Sequence, residues 1–417
     1  MKKLKKIYVT YEELYKAYLD CRKRKRNTRN EIIFEINENI NLLNLYYELN
    51  ECTYLVGNSI CFIVKKPVYR EIFAADFRDR IIHHLFINRI IKYIEQEFID
   101  DAYSCRVGKG TKYGVERLYE NIKECSNSFT DDCYILKCDL KSFFMNINKD
   151  ILYNALCDFL EKKCNYHGDE LQFMQYLLRC IVYDEPSKKC IIKGNKSDWD
   201  LLPKDKSLFY SKRNKGLPIG NLTSQIFANF YLSFFDYFIV NTLGFKHYGR
   251  YVDDFYIIDK DKKRLLESID KIKNKLMERE VTLHPKKFYL QHYKMGVSFI
   301  GHYIKPNRIY IGNRTKGNFY MFLKKSHKIF EQDNIERRDL DKFVSGANSY
   351  LGFMKNYKTY NIRKKMLIRN KNMFDFYQFG YTNIHFDKLK IRTRKSEYMF
   401  QNSMWNNRSS TFEFRLW

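Results

Sequence analysis

Two hydrophobic periods alternate along the chain, and the changes between them outline its elements. Residues 11–24 and 31–49 carry apolar side chains at helical spacing among many charges, with Thr28 or Asn30 placed to cap the second helix. Residues 53–72, TYLVGNSICFIVKKPVYREI, predict a strand pair that turns at Gly57-Asn58. Two helices follow through residues 76–100, then a glycine turn at 104–112 opening another helix. An apolar strand in CYILKCDLKSFFMNIN ends in Asp139, and residues 151–183 are again helical. A polar, basic, loop-rich insert occupies 184–215. It leads into GLPIGNLTSQ, a tight turn and polar cap before an aromatic-rich helix over 226–243. An amphipathic helix spans 260–279, LHPKK follows at 283–287, and VSFIGHYIKPNRIYI predicts a strand pair at 297–311. From residue 315 onward the period is helical.

The stretch around which the rest is arranged is HYGRYVDDFYIID, residues 247–259. Aromatic and β-branched residues flank Asp253-Asp254 on both sides, so two strands meet at a tight turn carrying both carboxylates. Adjacent like charges repel, and a divalent cation offsets that repulsion. A hairpin turn that merely holds two Asp is the plainer alternative. Asp139 weighs against it, because a carboxylate ending a buried strand is costly unless it has a task.

Composition adds a partner class. Of 417 residues, 75 are Lys or Arg and 49 are Asp or Glu, a net charge of +26, which calls for a polyanion: nucleic acid first, an anionic membrane surface second. At this length two or three subdomains are expected. Aromatics reach 17% and serve as core and as stacking platforms for bases. No run of 18 apolar residues spans a membrane, and the N-terminus lacks the apolar core of a signal peptide. The 11 cysteines form no CxxC, which points to reduced thiols and a cytoplasmic location. His83-His84 are adjacent on a helix and so do not face one metal site. The glycine turn carries Arg106 and Lys109 and could hold phosphate, although it is not a P-loop. Residues 315–417 contain 21 Lys and Arg against 9 Asp and Glu, a net of +12. Clusters such as Arg363-Lys364-Lys365 there, and Lys286-Lys287 upstream, are candidate nucleic-acid contacts, with a solvated helical face as the alternative.

In their order, DLKSFF, GLPIGNLTSQ, YVDD, LHPKK and VSFIGHYI resemble the palm motifs of reverse transcriptases, and KKPVYREIFAADFRDR resembles the fingers segment before them. The likeness spans roughly residues 50–360. Ile219 stands where intron and retroviral relatives carry Gln, and the IGxxxSQ form resembles the enzymes of diversity-generating retroelements and related bacterial, defence-associated reverse transcriptases.

The resemblance implies an α+β right-hand polymerase: an N-terminal helical extension over 1–50, fingers over 51–132, a palm over 133–314 with the insert, and a helical thumb with a basic extension over 315–417. It implies two Mg²⁺ ions, or Mn²⁺ in their place, on Asp139, Asp253 and Asp254. Lys66 and Arg70 would neutralise the triphosphate. Phe144 would exclude a ribose 2′-hydroxyl, while Ile219, Gly220 and Gln225 would face the nucleotide. The expected partners are a structured non-coding RNA template, a DNA or RNA primer and dNTPs, with an accessory protein or a second copy, and no membrane. Template-independent or protein-primed DNA synthesis, and a non-catalytic RNA-binding scaffold, are the competing functions.

Overall fold

The computed structural model describes residues 6–23, 28–65 and 68–392. Lys66, Arg394, Lys395 and the C-terminal tail lie outside them. The chain divides into two compact units, Met1–Met295 and Gly296–Trp417. The fold is α+β, with helices packed on antiparallel sheets.

The first unit opens with α1 (Tyr11–Arg22), α2 (Arg29–Ile36) and α3 (Glu38–Asn50). Thr10 caps α1 in a reciprocal box with Glu13, satisfying end groups the helix cannot pair itself. Strands β1 (Ile60–Val64) and β2 (Arg70–Ala74) pair antiparallel up to Val64 opposite Arg70, so Gly57-Asn58 precede β1 and do not join the two strands. The reason lies in the next helix, α4 (Phe77–Ile94). Its buried Asp79 accepts from the Gly57 N–H at 3.0 Å and the Tyr54 hydroxyl at 2.7 Å, which draws residues 54–57 out of the strand. Where two helices were expected over 76–100, α4 runs on to a single 3₁₀ turn at Glu95–Glu97. Next come α5 (Thr111–Cys125), β3 (Tyr134–Leu140), the single turn α6 (Phe143–Asn146), α7 (Lys149–Lys162) and α8 (Gly168–Val182).

The insert is less loose than its composition suggests. It contains α9 (Pro186–Lys189), β4 (Ile191–Ile192), which adds to β1, and a series of 3₁₀ turns. It is strapped to β2 through fully buried Glu71, which accepts from Trp199 Nε1 (2.7 Å), Ser207 Oγ (2.7 Å) and the Leu208 N–H (2.6 Å). Lys65–Asp198 (2.8 Å) and Ser142–Asp205 (2.6 Å) add to the strap. A buried carboxylate with three donors is satisfied, and removing them would leave it a large penalty.

After the insert, α10 (Leu222–Tyr237) leads through a π turn at Phe238–Thr242 to β5 (His247–Tyr251) and β6 (Asp254–Asp259), then α11 (Lys262–Met277) and β7 (Leu283–His292). The four-stranded sheet has the order β5-β6-β3-β7. One core joins Leu45 of α3, Ile81 and Phe86 of α4, Leu136 of β3, Phe227 and Tyr231 of α10, and Phe255 and Ile257 of β6. Helices that cover one face of an antiparallel sheet in this way fix where the strand ends lie.

The second unit carries β8 (Val297–Phe299), β9 (His302–Lys305) and β10 (Arg308–Ile311), a three-stranded sheet where a strand pair was expected. The helices α12 (Asn313–Phe330), α13 (Arg337–Met354), α14 (Tyr360–Ile368) and α15 (Lys371–Phe379) follow, closed by the pair β11 (Gly380–Thr382) and β12 (Leu389–Ile391). Phe319, Leu323, Phe343, Leu351 and Phe376 form its core with Ile311 of β10, so the hairpin sheet packs with these helices.

Candidate active site

Strand pairing alone brings the sequence-predicted carboxylates together. In the β3–β6 ladder Asp139 is the direct partner of Asp254, and the Leu140 N–H donates to the Asp253 carbonyl at 3.0 Å. Opposed residues of an antiparallel pair place their side chains on one face about 5 Å apart. Asp253 follows Val252 in the two-residue loop joining β5 to β6.

That loop is strained. Val252 has φ +59°, whereas Asp253 does not have positive φ. This is the pattern of a type II′ turn, whose first central position favours Gly. A β-branched side chain there costs about 1–3 kcal/mol, which the surroundings must hold in place. Beneath it, β5 passes close to two tyrosines. A Cβ on Gly249 would collide with the hydroxyls of Tyr103 and Tyr256, which bond each other at 2.7 Å.

Two lysines meet the carboxylates. Lys137, two residues before Asp139 and so on the same strand face, pairs with Asp254 at 2.7 Å. Lys287 reaches both oxygens of Asp139, at 3.0 and 3.1 Å. Its position follows from a break in the β3–β7 register: Cys138 pairs with Phe288 but Leu140 with Leu283, so His284-Pro285-Lys286-Lys287 bulge from the ladder. Pro285 has no N–H to give to a ladder, which suits a bulge. Burial, and the nearby charge of Asp139, push the Asp253 carboxyl above its usual range, while Lys287 and Arg70 pull it down. Asp254 is pushed up to about 6, chiefly by burial, against the pull of Lys137.

The residues expected on the nucleotide side fall into two groups. Phe144 and Ile219 pack against one small cluster, Cys61, Phe73, Met145 and Leu208, and the Phe73 N–H donates to the Ile219 carbonyl at 2.8 Å. Gly220 has φ +128°, and a Cβ there would meet Ile72 at 2.8 Å and the Phe73 carbonyl at 3.0 Å, so only Gly lets the turn approach β2. Arg70, the exposed first residue of β2, acts on Asp253 and Tyr251 through its charge. Gln225 is exposed and accepts from the Cys105 thiol at 2.9 Å.

Of the cations expected on nucleic acid, Arg106, Lys109 and Arg363, like Lys287, have partners within the chain. Arg106 donates to Glu95 (2.8 Å) and to the carbonyls of Ile99 and Ala102. Lys109 is bound to Asp100. Arg363 is buried on Thr359 (2.7 Å) and the carbonyls of His385 and Phe386. Guanidinium groups that cap several carbonyls at once serve the fold, and their type cannot reveal this in advance. Lys286, Lys364 and Lys365 are exposed.

Residues that sequence reading passed over hold the turn. Arg250 and Asp236 are both fully buried and form a two-pronged ion pair, 2.7 and 2.5 Å. The one available signal was an Arg directly before the YVDD stretch.

Carboxylates raised by burial and answered by amines are a donor set that suits hard divalent cations. Among the described residues no three His, Cys, Asp or Glu side chains are gathered as a finished metal cluster. Among them, too, no helix is long and apolar enough to cross a membrane.

Comparison with known proteins gives a family. No curated protein matches the chain. Among solved structures it is similar to telomerase from Candida albicans in complex with a TWJ fragment of telomeric RNA, with 12% identity, 76% of this chain and 59% of that chain covered, and a TM-score of 0.44. It is also similar to apo telomerase from Candida tropicalis truncated from its C-terminal domain, with 18% identity, 61% and 55% covered, and a TM-score of 0.41. The chain thus spans little more than half the length of these telomerases. The family model described as reverse transcriptase (RNA-dependent DNA polymerase) matches residues 63–304, more than half of the chain. Its strand-end aspartate, its hairpin of paired carboxylates and this match together make the chain a member of the reverse transcriptase family.

Proposed function

We propose that the protein synthesises cDNA on a cognate structured RNA by metal-assisted nucleotidyl transfer. The observation that carries this reading is the direct pairing of Asp139 with Asp254, beside Asp253. Asp139 and Asp253 are the principal metal ligands. Asp254, the ladder partner of Asp139, supports them. Two Mg²⁺ ions, or Mn²⁺, would stabilise charge on the attacking 3′-oxygen and on the leaving pyrophosphate.

The chain's own residues supply the rest. Arg70, with Lys66 four positions before it, neutralises the triphosphate. Phe144 and Ile219 form an apolar wall that offers contact without directional bonds. Gly220 brings the turn backbone close to the fingers strand. Exposed Lys286, Lys364 and Lys365 take phosphates of primer and template. The IGNLTSQ form of the turn supports a place in a diversity-generating retroelement or an antiphage defence system.

Primer extension on an RNA template, with and without Mg²⁺, tests the activity. Asp253→Asn with Asp254→Asn is expected to abolish dNTP incorporation and leave RNA binding intact. Near-normal extension by that variant would remove the site assignment. Extension without template would favour the template-independent alternative. Sequencing RNA and cDNA recovered from cells distinguishes the two biological settings.

A further inference from the structure

Arg250 is among the largest fully buried side chains of the protein, and its guanidinium has more to do than balance Asp236. Nε and Nη2 fork onto the two Asp236 oxygens. Tyr248 donates its hydroxyl to Asp236 at 2.6 Å, and Nη2 also reaches the Asn229 carbonyl at 3.4 Å. That leaves Nη1, which donates to the Val252 carbonyl at 3.0 Å and to Asn229 Oδ1 at 3.2 Å. The Arg250 main chain is fixed as well: its N–H donates to the Asp101 carbonyl and its C=O accepts from the Tyr103 N–H, both at 2.9 Å.

A buried ion pair is a poor device for stability alone, because well-packed apolar residues of like volume serve as well or better. An apolar pair cannot donate an N–H to a carbonyl inside the core. The carbonyl in question belongs to the residue held at φ +59°, the one whose conformation sets the direction of Asp253. Strain of this kind persists only where its surroundings over-determine it.

We propose that Arg250 is a positioning residue for nucleotidyl transfer: Asp236 orients its guanidinium, which holds the Val252 carbonyl and keeps the turn in the strained form that directs Asp253. The inference rests on Asp253 being a metal ligand.

The test separates positioning from stability. The variant Asp236→Leu, Tyr248→Phe, Arg250→Met removes the buried charges and the hydroxyl that would lose its acceptor. It is expected to melt above Arg250→Met alone, since no buried charge is left unpaired, and below the parent, since the Val252 and Asn229 acceptors lose their donor. Its kcat for dNTP incorporation is expected to fall about 100-fold, the scale on which a misplacement of about 1 Å acts, with KM little changed. Mn²⁺ affinity, read by electron paramagnetic resonance without substrate, should weaken in parallel. Adding Val252→Gly to the same variant should recover about tenfold of kcat, because Gly adopts positive φ without strain. Parental kcat and Mn²⁺ affinity in the folded variant would overturn the proposal. Arg250→Lys keeps the charge on Asp236 but not the fork. It should show the same kcat loss, and full activity there would overturn the proposal even if the triple variant does not fold. Asp253→Asn is the control. An active Asp253→Asn removes the reading of the site itself, whereas an inactive one beside fully active Arg250 variants removes only the role of Arg250.

Discussion

Lys287 spans both carboxylate oxygens of Asp139, and it does so because four residues of β7 leave the ladder opposite Asp139. The pair joins a half-exposed amine, open to solvent, to a carboxylate that is largely covered.

A cation bound by Asp139 has to compete with that amine. Lys287→Gln is expected to tighten Mn²⁺ binding two- to fivefold, the equivalent of the up to about 1 kcal/mol that a partly exposed pair supplies. Calorimetric titration of the protein without nucleic acid checks it. Unchanged or weaker binding would show that Lys287 does not compete with the metal.

The exposed and the buried members of the basic cluster in α14 should behave in opposite ways. Lys364→Gln with Lys365→Gln is expected to leave melting unchanged and to reduce the slope of log K against log salt for single-stranded RNA by about 1.4, two phosphates at about 0.7 each. Arg363→Gln should lower the melting temperature instead, since its guanidinium holds three partners in the core. A fluorescence anisotropy salt series with parallel melts decides. An unchanged slope in the lysine variant would place the RNA elsewhere.

In the proposed site Ile219 offers the incoming nucleotide an aliphatic surface in place of an amide. Hydrogen bonds discriminate geometry, and an apolar wall penalises a misplaced base less. Ile219→Gln is expected to keep activity and to lower misincorporation several-fold, most at template adenines. Sequencing cDNA made by both proteins on one RNA measures it. Identical error spectra would reduce Ile219 to its contacts with Phe73, Met145 and Leu208.

Asp79 makes stability depend on pH in the less usual direction. Burial pushes its carboxyl up to about 6, above its value in an unfolded chain, despite bonds from Tyr54 and Gly57. The folded protein therefore holds the proton more tightly. The contribution is fully present below about pH 4 and is lost as pH rises through about 6. Its size is about 3 kcal/mol for two units. Asp79→Asn, whose amide can serve both Tyr54 and Gly57, is expected to gain stability relative to the parent between pH 4 and 7. Denaturant unfolding at several pH values tests it, and a constant difference across that range would discount the shift.

The order of the family's motif segments was legible in the sequence because each is local. A strand ending in Asp139, a glycine turn capping a helix, and two aspartates between aromatic and β-branched runs are patterns that neighbours in sequence enforce. The same holds for α7, α8, α11 and the helices after residue 312, whose periods are long. Even the pairing of Asp139 with the YVDD hairpin follows once the strands are assigned, since an antiparallel ladder leaves few registers that bury the right faces. What the tertiary structure alone decided is where charge goes. Arg106, Lys109 and Arg363 read as free cations but cap carbonyls or acids within the fold, while Glu71, unremarked in a charged strand, anchors the whole insert. Arg250 and Asp236 lie fourteen positions apart, and neither residue shows in sequence that it is buried. A long polar side chain has several partners within reach from one backbone position. Which of them it takes depends on elements that meet only after folding, because burial makes the satisfied arrangement the one that survives.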